Sequence, residues 1–93
     1  ILTSLNTLVQ NSVLEVYQTY VEALKKAGNF DAEAQKIALE RCLALIKVNM
    51  PKELETWLKQ NYSDIEGYLK SLIEAQIGFL KNNAKFIAKN YFL

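Results

Sequence analysis

The sequence predicts an all-α fold, a compact bundle of about four helices, and three features point there. Apolar residues recur at steps of three and four over most of the chain, with no two-residue alternation to suggest a strand. Only 3 Gly and 1 Pro punctuate 93 residues, and each break between periodic stretches is short. The apolar fraction of 51% is far above that of a disordered chain and supplies one modest core.

The first helix is predicted from about Ser4 to Ala27. Leu2, Leu5, Val9, Val13, Val16 and Tyr20 form its stripe, widened by Leu14, Tyr17, Val21 and Leu24. Lys25 and Lys26 suit the negative end of its dipole, and Gly28-Asn29 supplies a left-handed stop. Asp31 is the natural N-cap of a second helix, about 32–49. Its Ala34, Ile37, Ala38, Leu39, Cys42, Leu43, Leu45, Ile46 and Val48 leave only a narrow polar strip. A helix apolar on so many sides is expected at the centre of the bundle.

Pro51 is suited to open a third helix, about 51–60, that buries Leu54, Trp57 and Leu58. Ser63 with Glu66 three residues later reads as a capping box for a fourth helix, about 64–88. That helix carries Ile65, Leu69, Leu72, Ile73, Ile77, Leu80, Ala84 and Ile87, and its Gly67 and Gly78 are expected to mark close helix approach.

Composition narrows the function more than it names it. With 11 basic and 10 acidic side chains the net charge is +1, so no broad field draws in nucleic acid. The absence of His removes the commonest general base and metal ligand, and one Cys forms neither an internal disulfide nor a thiolate zinc site. No phosphate-cradling Gly loop and no nucleophile–base set occurs. No enzyme activity, cofactor, metal site or small-molecule substrate is therefore expected.

The remaining candidates each have a structural reading. Asp31/Glu33, Glu53/Glu55 and Asp64/Glu66 sit at predicted helix starts, where negative charge is favoured, and residues two apart do not share a helix face. Cys42 lies among Leu39, Leu43 and Ile46 and reads as a buried thiol. Tyr17, Tyr20, Trp57, Tyr62 and Tyr68 read as packing aromatics rather than base-stacking ones. Glu74 has two readings, a solvated carboxylate or the inter-helix ion-pair partner of Arg41, the only Arg. Lys81, Lys85 and Lys89 read as the solvated face of a helix end, too few for a lipid-binding cluster.

One surface is expected to carry interactions. The other three helices must cover both the first-helix stripe and the apolar second helix, and the short third helix offers little. The end from Leu2 to Val9 is therefore read as an exposed patch, and the stripe Leu2, Leu5, Val9, Val13 and Val16 as the candidate surface for weak homo-oligomerisation. The longest unbroken apolar run, Cys42 to Ile46, falls far short of the roughly 18–20 residues of a membrane span. The chain opens on Ile1 rather than Met, which suggests a part of a longer protein.

A family resemblance rests on Tyr20-Val21-Glu22-Ala23-Leu24-Lys25-Lys26-Ala27-Gly28-Asn29-Phe30-Asp31, on Ala34-Gln35-Lys36-Ile37-Ala38, on Tyr62-Ser63-Asp64-Ile65-Glu66 and on Ile73-Glu74-Ala75. With these, about Val13 to Lys81 resembles the soluble helical region of LL-H type holin-like proteins from phages and prophages of Gram-positive bacteria. Gln76-Ile77 departs from that group's usual small apolar pair, and the tail after Lys81 extends past the match. The resemblance implies a membrane-associated parent with one span ahead of this part, this part lying in the cytoplasm. It also implies a role in host lysis through self-association or partner binding, with no catalytic residue. The alternative reading is a free-standing helical adaptor unrelated to lysis.

Overall fold

The computed structural model describes residues 2–82, with side-chain environments over 3–79, and its regular structure is entirely helical. Helix α1 is one rod in three sections: Leu2–Val16 in α geometry, Tyr17–Val21 as a π turn, and Glu22–Lys26 in α geometry again. Helix α2 is Ala32–Asn49, α3 is Lys52–Asn61 and α4 is Ile65–Asn82. The expected four-helix bundle is present, although the expected extension of the last helix to residue 88 lies outside the described residues.

The turn after α1 forms as its residues dictate. Gly28 takes φ +73°, its N–H donates to the Lys25 carbonyl at 3.1 Å, and the Asn29 N–H donates to the Leu24 carbonyl at 2.8 Å. This pair of bonds is a Schellman motif, satisfying carbonyls that the ending helix leaves open. Three residues on, the Asp31 carboxylate accepts from the Ala34 N–H at 2.8 Å and starts α2. α1 and α2 thus fold back as a hairpin of helices.

The start of α4 differs from the expected capping box. The Asp64 carboxylate, not the Ser63 hydroxyl, is the cap, accepting from the Gly67 N–H at 2.9 Å. The ionised carboxylate is the stronger acceptor and adds a favourable charge at the dipole's positive end. Gly67 has a local reason: a Cβ there would overlap the Asp64 carboxylate. Gly78 marks no close approach, since a Cβ there meets nothing within 4 Å. At the third helix, Pro51 sits one residue before the helical turn rather than within it.

Burial reverses the expected ranking of the helices. Leu5, Val9, Val13, Val16 and Val21 of α1 are each at most 2% exposed, and α1 packs on both α2 and α4. α2 buries Ala34, Ala38, Cys42, Leu43 and Ile46, while Ile37 and Leu45 are half-buried and Val48 is 80% exposed. Its core face is built largely of small side chains, which bring the helices together without enclosing α2 itself. Leu54 and Leu58 of α3 and Leu69 and Ile73 of α4 complete the core.

The stripe of α1 gives no sign of the π turn. There the Glu22 N–H reaches back five residues to the Tyr17 carbonyl, and Thr19 Oγ1 donates to the Glu15 carbonyl at 2.8 Å. One extra residue in the turn rotates the remainder of the helix by about 100°. Val21 consequently occupies the core seam at 0% exposed, and Tyr20 moves to its half-buried edge.

Candidate functional site

The sequence-nominated surface is not a surface. Leu5, Val9, Val13 and Val16 all lie in the core, because α4 as well as α2 packs along α1. Leu2 begins the helix, and its side chain lies outside those described. The patch reading held that the other three helices, one of them short, could not cover the N-terminal end of α1, whereas the two long ones pack along it.

Arg41 and Glu74 do not pair among the described residues. The Arg41 guanidinium instead lies 4.1 Å from the centroid of the Tyr20 ring, placed there by the π turn, while Glu74 is exposed. An inter-helix ion pair joins Lys47 to Glu66 at 3.2 Å, with both side chains about half exposed. Within α3, Lys59 and Glu55 pair at 2.8 Å, and this bond to Lys59 holds the Glu55 carboxyl below its ordinary range.

Of the acidic pairs, Asp31 and Asp64 act as caps, and Glu33, Glu53, Glu55 and Glu66 lie in first helical turns. No three His, Cys, Asp or Glu side chains gather in metal-holding geometry among the described residues. Cys42 is 3% exposed, and desolvation pushes its thiol up to about 11, the opposite of an activated nucleophile. Tyr62 stacks on Tyr68 at 3.9 Å and meets Trp57 edge-on at 6.0 Å, joining the α3–α4 turn. The hydrogen bond with Tyr62, with burial second, raises the Tyr68 hydroxyl above its usual value. The lysine tail beyond Lys81 lies outside the described residues.

A cleft of about 520 Å³ lies where α1, α2 and α4 meet. Its apolar lining includes Val21, Phe30, Leu39, Cys42, Ile73 and Ile77. Four polar residues also line it: Lys25, half-buried, and Gln35, Lys36 and Glu74, all exposed. Lys25 Nζ stands 5.5 Å from the Phe30 ring centroid. No buried side-chain nitrogen or oxygen among the described residues lacks a hydrogen-bond partner. The cleft therefore combines an apolar lining with four polar residues, three of them exposed.

Sequence reasoning missed this cleft because it depends on the turn. Phe30 reaches it only because Gly28 reverses the chain, and the signal available was an aromatic residue directly after a Gly-Asn stop. No protein family, curated protein or solved structure matches the chain. No described helix is long and apolar enough to cross a membrane.

Proposed function

We propose that this chain is a helical interaction domain that receives the apolar face of a partner helix in the cleft between α1, α2 and α4. We place it in the setting its motifs resemble, the helical portion of a phage-derived, holin-like membrane protein. The cleft carries the docking half of this reading. It is bounded by helices, has an apolar floor, and keeps its charged and amide groups at the rim, the arrangement by which grooves take amphipathic helices. The holin-like setting rests on the short motifs alone.

Two experiments separate the halves. The gene upstream of Ile1 is expected to encode a span of about 20 apolar residues, and a reading frame without one removes the holin-like setting. Photo-crosslinking from position 39 of the full-length protein in its host tests docking, since Leu39 lines the cleft. Adducts mapped to an apolar helical segment support it. Yields no higher than from the exposed Val48 position overturn it.

A further inference from the structure

The cleft has a floor and two walls. Val16 and Val21 of α1 line it while at most 2% exposed, and α1 packs on both α2 and α4. α2 and α4 therefore form the walls, with Leu39 on one and Ile77 on the other, both half-buried. The walls run antiparallel, because Lys47 near the end of α2 pairs with Glu66 at the start of α4. Stepping back from Lys47 and forward from Glu66 sets Lys36 level with Ile77, and Leu39 level with Glu74.

Each wall contributes one exposed charge to the lining, Lys36 from α2 and Glu74 from α4. They are staggered by about 4.5 Å along the helices, and neither forms an ion pair among the described residues. Where the two walls meet, opposite charges bridge them, Lys47 to Glu66 at 3.2 Å. Where they part around the cleft, Lys36 and Glu74 are left on opposite sides. The third charge of the rim, Lys25 of α1, is half-buried and stands 5.5 Å from the Phe30 ring centroid.

We infer that the cleft selects its partner helix by the charge of the helix's two edges, an acidic edge against Lys36 and a basic edge against Glu74. The inference rests on the reading of the cleft as a helix-binding site and names the class of partner. That partner is an amphipathic helix whose apolar face, at steps of three and four, is flanked by opposite charges. A helix turned end for end would exchange its edges and meet like charge on both walls. The same two residues therefore fix the direction in which the partner runs. Because both are exposed, each contact is weak and screened by salt, so the pair sorts partners while the apolar lining holds them.

Three synthetic amphipathic peptides sharing one leucine face test this against the 93-residue chain, by fluorescence anisotropy at low ionic strength. One peptide has a Glu edge and a Lys edge, one has two Glu edges, and one has two Lys edges. The mixed peptide is expected to bind the wild type about three- to tenfold more tightly than either of the others. That advantage is expected to shrink in about 0.5 M salt. Lys36→Glu is expected to move the preference to the two-Lys peptide, and Glu74→Lys to the two-Glu peptide. Both are exposed positions, so the core is left intact. Lys59→Glu, the same change of net charge on α3, is expected to leave the wild-type preference in place. One ranking shared by the wild type and both cleft variants overturns the inference and leaves the helix-docking reading standing, as does an equal shift with Lys59→Glu. Binding by none of the three peptides overturns both.

Discussion

The guanidinium of Arg41 lies 4.1 Å from the centroid of the Tyr20 ring, tying the middle of α2 to the π turn of α1. A regular helix would put Tyr20 nearer the core and leave Arg41 without this partner. Since Arg41 is exposed and Tyr20 half-buried, the interaction is worth about 0.5–1 kcal/mol. A double-mutant cycle of Arg41→Met and Tyr20→Leu, measured by urea denaturation, is expected to return a coupling of that size. Glu74→Gln is expected to leave stability nearly unchanged, and a large loss there would restore the ion-pair reading.

The reversal between α1 and α2 depends on Gly28. A Cβ at this position meets nothing within 4 Å, so its cost comes from the left-handed backbone alone. Gly28→Ala is expected to destabilise by about 1 kcal/mol, with Gly28→Asn milder because Asn tolerates this conformation. Thermal melts of the two variants check the order. Because Phe30 is carried into the cleft by the same turn, the reversal contributes to the binding surface as well as to the fold.

At the start of α4 the two candidate caps give opposite expectations. Asp64→Ala removes the acceptor of the Gly67 N–H and is expected to cost about 0.5–2 kcal/mol. Ser63→Ala is expected to fall within about 0.5 kcal/mol of wild type, as an exposed change away from the cap. Chemical denaturation that ranks them the other way would reinstate the capping box.

Helix number, helix order and the Asp31 cap were all legible in the sequence, because each rests on interactions within a few residues. Periodicity, a Gly-Asn stop and a lone Pro act locally. The features that escaped prediction depend on the third dimension. Whether Leu5 faces solvent or core is decided by α4, which starts about sixty residues further along the chain. Which side of α1 Tyr20 occupies is decided by one additional residue in a turn, which a stripe of Val, Tyr and Leu tolerates in either register. The cleft joins residues from three helices and a turn, so no contiguous motif announces it.

The burial of Leu5 and Val9 changes the meaning of substitutions there. Leu5→Glu plus Val9→Glu, a natural test of an exposed patch, places two carboxylates in sites 1% and 2% exposed. The double variant is expected to unfold rather than to dissociate an oligomer, since isolated buried charge is among the costliest changes. The milder Leu5→Ala is expected to lose about 2–5 kcal/mol. Far-ultraviolet circular dichroism separates the outcomes: a helical, soluble double variant would return these positions to the surface.

Cys42 gives the fold a specific sensitivity to alkali. Its thiol is raised from 9.0 to about 11 by burial, so the folded state holds its proton through a range where the unfolded chain has released it. The native state then binds more protons than the unfolded state, and the slope of stability against pH is negative. The contribution is fully present below about pH 9 and is lost as pH climbs toward 11, a total of about 2–3 kcal/mol. Tyr and Lys side chains also titrate there, so the comparison is with Cys42→Ala over the same range. The variant is expected to start less stable at pH 7, having lost buried sulfur, and to decline less steeply above pH 9. Parallel slopes for the two proteins would show that the thiol ionises equally easily in both states, and would place Cys42 in water rather than on the floor of the cleft.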